Sequence, residues 1–434
     1  MSDRYNKSNG LYERALKTIP LASQTFSKSS VQYPKGASPL FVERGQGSHV
    51  WDVDGNEYVD FVSSLLPIGL GYCDPDIDAA IKAQLDRGIV FSLPSPLEME
   101  LSELLVELIP CAEQVRFGKN GTDATSAAIR LSRAFTGRAH IIALGYHGWQ
   151  DWYIGATTRN KGVPDAVGEL TNRIAYNDLD ALDDAFKAAP DGVACVIMEP
   201  MNFDMPNPGY LEGVRRMCNE NGALLVFDEV ITGFRFAPGG AQEMLGVTPD
   251  LAAFGKAMGN GMPISAIAGR RDVMQEMENV FFSGTFGGET LSLAAAIAVI
   301  KKIKAEPVID HLWTFGQKLI DGTLALIEQH GLDQVLAIKG LAPWSTLAFS
   351  AHETASAQAI RTRYIVDMMA QGILTLGAHN ISYAHDDADL DLFLSANARS
   401  FANLRRSLDA GSLEPDLDVD VIYPVFQVRG ESEK

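Results

Sequence analysis

The residues of this chain that most clearly suggest chemistry are Asp228 and Lys256, a carboxylate and an amine that each follow an apolar run. Residues 223–227 are apolar and rich in branched side chains, which predicts a short strand buried on both faces. Asp228 stands at the carboxyl end of that strand, where open α/β sheets bind ligands. A second apolar run, residues 251–254, ends in Gly255 and Lys256 about one strand-helix-strand unit later. We therefore expect Asp228 to point into a crevice.

This pair of residues suits pyridoxal 5'-phosphate, because that cofactor needs a lysine for its Schiff base and an acid against its pyridinium nitrogen. The acid keeps the nitrogen protonated, and the protonated ring can accept the electrons left when a proton leaves the substrate's α-carbon. For Asp228 alone, a buried ion pair or a helix N-cap is the simpler explanation. A lysine after an apolar strand is rarer, since a buried lysine is costly unless it is paired or used. Lys256 is therefore the more informative residue.

A glycine-containing loop between a predicted strand and a predicted helix offers a site for a phosphate group. Residues 115–117 predict the strand, and the helical spacing of later apolar positions continues as far as Gly137, which is expected to end the helix. Between the two elements lie Asn120, Gly121 and Thr122. The backbone N–H groups at the helix start, together with the Thr122 hydroxyl, would bind a phosphate. An ordinary helix cap uses the same residue types, so the loop is a weak signal by itself.

Three segments that follow one another along the chain resemble motifs of one enzyme family. They are residues 227–235 (FDEVITGFR), 255–264 (GKAMGNGMPI) and 283–286 (SGTF). In these motifs the chain resembles the class III (ω-type) aminotransferases of fold type I, and within that family most closely the glutamate-1-semialdehyde 2,1-aminomutases. The resemblance extends from about residue 11 to about residue 385. It implies a large domain with a mostly parallel seven-stranded sheet flanked by helices, with residues 265–269 as the antiparallel strand, and a small α+β domain from both termini.

The resemblance also implies roles for residues around the cofactor. Lys256 would form the internal aldimine and Asp228 would hold the pyridinium nitrogen. Tyr146 would stack on the ring, with His147 beside it. Glu199 would order the pocket and help to keep Asp228 in place. Further cofactor contacts are expected in the phosphate loop and after the later strands, at Asn120, Gly121, Thr122, Asn202, Val230 and Thr285.

Three of these contacts carry more specific expectations. Asn120 replaces the serine of the family's Ser-Gly-Thr phosphate loop. Asn202 would face the cofactor's O3′ oxygen, in a segment after Pro200 that departs from the family pattern. Thr285 would cross a dimer interface and bind the phosphate of the partner's cofactor, which implies an obligate homodimer with two shared sites. A plainer function for the segment around Thr285 is to cap the following helix, and both functions are compatible.

Three residues are expected at the substrate: Lys28, Leu65 and His379. Lys28 falls where the aminomutases carry an arginine for the substrate carboxylate, but lysine lacks the bidentate guanidinium, and a solvated surface lysine is the alternative. Leu65 replaces an aromatic residue, which indicates a differently shaped substrate. His379 lies in a segment, residues 377–382, without the glutamate of the aminomutase motif. These departures favour an acceptor other than glutamate semialdehyde, and an acidic or sugar-derived carbonyl compound is one hypothesis.

Composition restricts the partners of the protein. The chain has 434 residues, of which 46% are hydrophobic and 21% charged, as in a soluble globular enzyme, and its net charge is −19. This charge argues against nucleic-acid binding, because phosphates would be repelled. No apolar run approaches the length of a membrane span. The four cysteines lack C-x-x-C spacing, so neither disulfides nor a metal site is expected, and the expected location is the cytoplasm.

These observations predict a pyridoxal-phosphate aminotransferase that moves an amino group from an amino-acid donor to an aldehyde or keto acceptor. An aminomutase, which moves the group within one substrate, is the alternative, and racemases and decarboxylases use the same cofactor groups. A non-catalytic pyridoxal-binding or structural dimer is disfavoured because Lys256 and Asp228 are both present. The expected domains are an N-terminal segment of the small domain at 1–60, a large cofactor-binding domain at 61–304 and a C-terminal small domain at 305–434.

Overall fold

The computed structural model of the protein describes residues 3–423. They divide into two units, of which unit 1 contains residues 3–74 together with 310–423, and unit 2 is the continuous stretch 75–309. Both ends of the described chain therefore belong to one unit. The expected domain limits at residues 60 and 304 stay a prediction, and residues 424–434 of the expected C-terminal domain lie outside the described residues.

The described α-helices range from single turns of four residues to one helix of 24 residues. In chain order they are α1 (Asn6–Ala15), α2 (Pro75–Leu85), α3 (Pro96–Leu108), α4 (Gly121–Thr136), α5 (Asp151–Ile154), α6 (Asp165–Gly168), α7 (Leu179–Ala188), α8 (Tyr210–Asn221), α9 (Ala241–Leu245), α10 (Arg271–Met274), α11 (Thr290–Ala305), α12 (Val308–Gln329), α13 (Ala357–Ala370) and α14 (Asp387–Ala410). Short 3-10 helices lie at Asp3–Tyr5, Pro20–Ala22, Phe26–Lys28, Lys256–Gly259 and Gln275–Glu278.

The strands of the described chain form one sheet in unit 2 and two sheets in unit 1. In chain order they are β1 (Val42–Gln46), β2 (His49–Asp52), β3 (Glu57–Asp60), β4 (Gln114–Gly118), β5 (His140–Leu144), β6 (Thr171–Arg173), β7 (Val193–Met198), β8 (Leu224–Asp228), β9 (Leu251–Phe254), β10 (Ser265–Gly269), β11 (Leu336–Leu341), β12 (Trp344–Phe349), β13 (Ile373–Leu374) and β14 (Ala378–Asn380).

A seven-stranded sheet forms the centre of unit 2, with the strand order β4-β10-β9-β8-β7-β5-β6. The strands from β9 to β6 pair in parallel, whereas β10 is antiparallel to both β4 and β9. The mostly parallel seven-stranded sheet and its antiparallel strand are thus confirmed. Because β10 runs against both neighbours, the carboxyl end of β4 lies at the same sheet edge as the carboxyl ends of β5, β7, β8 and β9.

The central strands are covered on both faces. Every residue of β7, β8 and β9 is buried, which explains why these strands are continuous apolar runs rather than alternating ones. Helix α4 packs on this sheet through small side chains, among them Ala124, Ala127 and Ala128. Gly137 ends the helix in a left-handed conformation with φ 68°, as its position in the sequence predicts. The packing of these alanines holds α4 against the sheet.

Unit 1 has the predicted α+β character. A four-stranded sheet has the order β1-β2-β3-β13, and a three-stranded sheet has the order β11-β12-β14. A tight turn containing Asp54 and Gly55 joins the antiparallel strands β2 and β3, and Gly55 has φ 90°, a conformation that glycine adopts without strain. The Asp54 carboxylate accepts the N–H groups of Lys7 and Ser8 at 2.7 and 2.9 Å, at the start of α1. Among residues 3–423, no helix has both the length and the apolar character needed to cross a membrane.

Candidate active site

Asp228 and Lys256 lie at one edge of the seven-stranded sheet, after the carboxyl ends of neighbouring strands. Strand β8 ends at Asp228, and the parallel register pairs this residue with Ala253 of β9. The Glu229 N–H continues the ladder with a bond of 2.8 Å to the Ala253 carbonyl. Lys256 follows shortly after and begins a 3-10 turn. The sheet therefore places the two charged residues at the edge where α/β proteins bind ligands.

Lys256 has a backbone conformation that is unusual for a residue with a side chain. Its φ of 44° lies in the left-handed region, which costs roughly 1–3 kcal/mol for residues other than glycine. Such strain persists where the surrounding structure over-determines it, and it is concentrated at functional sites. The side chain of Val230 packs beside this point, because a Cβ on Gly255 would lie 3.5 Å from Val230 Cγ1. The strain marks Lys256 as a candidate functional residue independently of its motif.

Asp228 is only 5% exposed, and its two carboxylate oxygens have different partners. Oδ2 lies 2.8 Å from His147 Nδ1, and Oδ1 accepts the Val230 N–H at 3.1 Å. The other ring nitrogen of His147, Nε2, lies 3.1 Å from the Leu144 carbonyl oxygen. Because a carbonyl oxygen only accepts, Nε2 is the donor in this second contact. The buried His147 thus connects the Asp228 carboxylate to the backbone at the end of β5.

The start of α4 forms a cradle that contains a buried hydroxyl. Within the described chain, Thr122 Oγ1 makes no hydrogen bond, and leaving such a group without a partner costs about 1–3 kcal/mol. Gly121 leaves no room for a side chain, because a Cβ there would lie 2.8 Å from Val230 Cγ1. The N–H groups of a first helical turn have no acceptor within their helix, and they favour an anion together with the helix dipole. The cradle therefore has the chemistry of a phosphate site.

Two glycines flank the turn that follows β5. Gly148 has φ 104°, and a Cβ there would lie 2.3 Å from Thr122 Oγ1. Gly145 has φ 100°, and its Cβ would lie 2.5 Å from Glu199 Oε2. The same Glu199 oxygen accepts the Tyr146 N–H at 3.4 Å. The turn that carries the predicted ring-stacking tyrosine is therefore fitted between the phosphate cradle and Glu199, and glycine is required at both of its ends.

An ion pair connects the phosphate loop to the start of α11. Lys119 Nζ donates to Glu289 Oε2 at 2.9 Å and to Ser292 Oγ at 3.3 Å. The Glu289 carboxylate also caps α11 by accepting the Ser292 N–H at 3.3 Å. The Asp123 carboxylate accepts the N–H groups of Lys119 and Asn120 at 3.0 and 2.8 Å. Carboxylates at the starts of two helices thus fix the loop that precedes the cradle.

Two predicted cofactor contacts, Asn202 and Thr285, lie in loops outside the cradle. Asn202 is buried, and its Oδ1 accepts the Asp204 N–H at 2.7 Å, so this oxygen stabilises its own loop. Thr285 is exposed in the loop before α11, close in sequence to Phe281 and Phe286, which are 82% and 58% exposed. The structure thus groups most of the predicted cofactor contacts at one sheet edge, and their individual roles stay predictions.

The three residues expected at the substrate all belong to unit 1. Lys28 is exposed, and its Nζ donates to Ser64 Oγ at 3.1 Å, next to Leu65. His379 is instead fully buried in β14, where its Nδ1 lies 2.9 Å from Ser345 Oγ. Burial lowers the pKa of His379 to about 3, so the ring is neutral. A substrate contact by His379 stays a prediction, and its complete burial does not favour that role.

The turn that contains Leu65 is left-handed. The φ angles of residues 63–66 are 47°, 54°, 71° and 82° in order, and none of the four is glycine. The Leu65 N–H donates to the Val62 carbonyl at 2.9 Å, and the Leu66 N–H donates to the Ser63 carbonyl at 3.0 Å. A left-handed helical conformation costs roughly 1–2 kcal/mol per L-residue. Other interactions must therefore hold this turn in place.

The sequence interpretation missed two of these features. The glycines around Tyr146 and His147 are a visible signal for a constrained turn, although they do not predict that His147 contacts Asp228. The pair between Lys119 and Glu289 gives no local signal, because its partners are 170 residues apart in the chain. Contacts of this kind depend on which loops the sheet brings together.

Comparison with known proteins adds an independent finding. Residues 31–385 match the family model described as aminotransferase class-III. A glutamate-1-semialdehyde 2,1-aminomutase from Syntrophobacter fumaroxidans is 36% identical over 427 residues, and the match covers 92% of this chain and 98% of that protein. A 3-aminobutyryl-CoA aminotransferase from Cloacimonas acidaminovorans is 36% identical over 413 residues, covering 93% of this chain and 98% of that protein.

Solved structures show the same similarity. The FumI protein of Sphingopyxis sp. MTA144, solved in its PLP internal aldimine form, superimposes with a TM-score of 0.87 at 31% identity. The match covers 93% of this chain and 98% of that chain. The predicted fold type I architecture is thereby confirmed over nearly the whole length.

Proposed function

The chain belongs to the class-III aminotransferase family, and on this premise we propose that it moves an amino group from an amino-acid donor to an aldehyde or keto acceptor, with pyridoxal 5'-phosphate as cofactor. The observation that carries the proposal is the position of Lys256 and Asp228 after adjacent parallel strands, at the sheet edge that also holds the Thr122 cradle. An amine for a covalent link, an acid for the ring nitrogen and donors for a phosphate are the groups that this cofactor needs.

The phosphate would be held at the start of α4. The Thr122 hydroxyl, which has no partner within residues 3–423, would donate to a phosphate oxygen, and the N–H groups of the first turn would donate to the others. Glycine at positions 121 and 148 keeps the surrounding backbone close, because a Cβ at either position would collide with a neighbouring side chain. The residues present therefore fit an anionic group of this size.

Asp228 would hold a proton on the ring nitrogen. When bound, the cofactor supplies a carbonyl group that links to amines and a ring that withdraws electrons from the attached carbon. This withdrawal is strongest while the ring nitrogen is protonated, which requires an ionised acid beside it. The His147 ring lies 2.8 Å from Oδ2 and the Val230 N–H donates to Oδ1 at 3.1 Å, so both hold the Asp228 carboxylate in position. His147 would therefore act on the reaction through Asp228.

Lys256 would have two tasks. Its Nζ would hold the cofactor covalently in the resting enzyme, and after displacement by the donor's amino group it would move the proton at the substrate's amino-bearing carbon. The partly buried position of the side chain and the left-handed backbone fix the direction from which Nζ approaches. An amine that is freed at the site of its own link needs no further movement to act as a base.

The covalent link can be tested without measuring turnover. The protein would be loaded with pyridoxal phosphate, reduced with borohydride and digested, and the reduced cofactor is expected on the peptide that contains Lys256. We expect Lys256→Ala to lose both the label and the activity. The matched control is Lys304→Ala, which removes a surface lysine paired with Glu107 and should keep both. Label and turnover that persist in Lys256→Ala would refute the assignment.

An aminomutase is the second candidate, because one of the 36% identical relatives carries that name. Lys28, Leu65 and residues 377–382 depart from the aminomutase pattern, which favours transfer between two substrates. Addition of L-glutamate alone is expected to remove the visible band of the lysine-bound cofactor, as a donor half-reaction would. Conversion of glutamate 1-semialdehyde to its isomer with the amino group on C1, without a second substrate, would instead support the aminomutase.

We also propose that the enzyme is a homodimer in which Thr285 contacts the partner's cofactor phosphate. Apolar side chains of unit 2 are exposed around this loop, namely Ile89, Val90, Phe91, Leu93, Met99, Phe281 and Phe286. The segments that carry them meet at the start of α11, because the Thr290 N–H donates to the Ile89 carbonyl at 2.9 Å and a Cβ on Gly288 would lie 2.5 Å from Glu98 Oε1. An exposed patch of this kind marks an interaction site.

Sedimentation measurements test the dimer. The wild-type protein should sediment at twice the chain mass, and Phe281→Asp should shift it toward the monomer, whereas Leu392→Asp in unit 1 should not. A monomeric wild-type protein that is fully active would refute the proposal. A cytoplasmic location is proposed as well, because all four cysteines are free thiols, as is usual in a reducing compartment.

A further inference from the structure

A second acid, Glu229, directly follows Asp228 in the chain and is completely buried. Its Oε2 accepts the Thr232 hydroxyl and, at 2.8 Å, the Ala241 N–H. Its Oε1 accepts the backbone N–H of Gln242 at 2.9 Å and the side-chain Nε2 of the same residue at 3.3 Å. Both oxygens therefore accept, which a carboxylate can do and an amide cannot. Burial raises the pKa of Glu229, whereas these four hydrogen bonds lower it.

The backbone of Glu229 fixes the first turn after β8. Its N–H donates to the Ala253 carbonyl at 2.8 Å, and its carbonyl accepts the Gly233 N–H at 2.9 Å. Gly233 has no room for a side chain, because a Cβ there would lie 2.6 Å from Phe254 Cδ1. The turn that begins at Asp228 is thus tied to β9 by the backbone of Glu229 and to α9 by its side chain.

Helix α9 is held in turn by a further contact. The Gln242 Oε1 accepts the Cys111 N–H at 3.0 Å, in the segment between α3 and β4. Glu229, Gln242 and Cys111 are all buried, so these hydrogen bonds are shielded from water. At the start of the helix, Gly240 has φ 89°, and a Cβ there would lie 2.6 Å from Glu229 Oε2. A buried chain of hydrogen bonds therefore runs from the end of β8 through α9 to the segment before β4.

The turn that Glu229 holds also carries a donor to Asp228, since Asp228 Oδ1 accepts the Val230 N–H at 3.1 Å. A shift of this turn would move both the carboxylate and its donor. A displacement of about 1 Å in a positioned group can cost about 100-fold in rate. We propose that Glu229 is a positioning residue for Asp228, which holds the turn after β8 so that the Asp228 carboxylate contacts the ring nitrogen of pyridoxal phosphate. The inference rests on the proposed aminotransferase function.

The experiment compares two cofactors that differ at the ring nitrogen. In 1-deazapyridoxal 5'-phosphate a carbon replaces that nitrogen, so the contact with Asp228 is lost while the phosphate and the carbonyl group remain. The Kd of each cofactor is measured by titration of the cofactor-free protein, and the ratio of the two values cancels effects on the phosphate site. From the strength of a hydrogen bond to a charged group, the wild type should prefer pyridoxal phosphate by about 10- to 150-fold. Asp228→Ala should remove this preference.

Glu229→Gln and Asp250→Asn form a matched pair. Asp250 is also a buried carboxylate, and it accepts the Leu225 N–H at 2.8 Å, but it lies at the amino end of β9, away from the site. Both variants should lower the melting temperature. Because neighbouring residues are energetically coupled, Glu229→Gln should reduce the cofactor preference by about fivefold or more. Asp250→Asn should keep it within about twofold, as expected for a distant position.

A second pair displaces Glu229 without replacing it. Gly240→Ala would place a Cβ 2.6 Å from Glu229 Oε2, whereas Gly246→Ala, at the other end of α9 with φ 69°, would meet no atom within 4 Å. Both alanines are strained by their left-handed backbone. We expect Gly240→Ala to reduce the cofactor preference and Gly246→Ala to retain it. This pair decides the question if Glu229→Gln does not fold.

The outcomes separate this inference from the proposed function. A wild-type protein that does not bind pyridoxal phosphate at Lys256 would refute the aminotransferase proposal and the positioning role together. A preference that depends on Asp228 but persists in Glu229→Gln and Gly240→Ala would refute the positioning role alone. An equal loss of preference in Asp250→Asn would also overturn it, because the effect would then be general destabilisation.

Discussion

Replacement of Gly148 by alanine is the sharpest test of the phosphate cradle, because it adds a single methyl group at its wall. The backbone at Gly148 has φ 104°, and the new Cβ would lie 2.3 Å from Thr122 Oγ1 and 2.6 Å from Thr122 Cβ. The Thr122 side chain and the first turn of α4 must therefore shift. We expect Gly148→Ala to weaken both cofactor binding and folding.

The loss of stability and the loss of cofactor affinity have different causes and different sizes. A left-handed conformation costs a residue other than glycine roughly 1–3 kcal/mol, and overpacking costs about 1–3 kcal/mol more. The free energy of unfolding should thus fall by about 2–6 kcal/mol, a large part of the roughly 5–15 kcal/mol typical of proteins. A hydrogen bond from the Thr122 hydroxyl to a charged phosphate contributes about 1.5–3 kcal/mol. Its loss corresponds to about a 10- to 150-fold increase in the Kd for pyridoxal phosphate.

The assay is a titration of the cofactor-free protein with pyridoxal phosphate, together with urea denaturation. Two matched variants separate the causes. Gly162→Ala adds a Cβ at φ 95° with no atom within 4 Å, so it should reduce stability without changing the Kd. Thr122→Val removes the hydroxyl at nearly constant shape and should raise the Kd as Gly148→Ala does, while Thr122→Ser should retain most of the affinity.

Either of two results would contradict this role of Thr122. If Gly148→Ala binds pyridoxal phosphate with the wild-type Kd, the geometry at Thr122 does not control the cradle. If Thr122→Val binds with the wild-type Kd, the hydroxyl does not contact the phosphate, even where Gly148→Ala is impaired. A loss that Gly162→Ala shares would show that backbone strain alone reduces binding.

Two further predictions concern ion pairs. His49 Nε2 lies 3.0 Å from Asp389 Oδ1, and this hydrogen bond raises the pKa of His49. The stabilisation is therefore complete below the unfolded pKa of about 6.5 and is lost as the pH rises through the folded value. Urea denaturation should show a larger difference between wild type and His49→Gln at about pH 5.5 than at about pH 9, and equal differences would contradict the assignment. Lys119→Met should lower the free energy of unfolding by about 1–3 kcal/mol, because Glu289 loses its cation while remaining buried. Lys119→Arg keeps a cation and should lower it less. A calorimetric melt in which Lys119→Met equals the wild type would exclude a stabilising pair.

The sequence predicted the elements that depend on local pattern. Apolar runs identified β9 at the observed limits and β8 to within one residue, because a strand covered on both faces must be apolar over its whole length. Gly137 predicted the end of α4 because a left-handed helix end favours glycine. The family motifs predicted the sheet and the positions of Asp228 and Lys256 within it.

Other features were decided only by the tertiary structure. The contact between His147 and Asp228 and the ion pair between Lys119 and Glu289 join residues that are 81 and 170 positions apart. The left-handed turn at residues 63–66 contains no glycine that would predict it, and it exists because Asp60 and Asn380 hold it from two sides. Local composition determines which segments become strands and helices. Which distant loops the sheet brings together decides the side-chain partners at the ends of those segments. Those partners in turn decide how much backbone strain the structure can maintain.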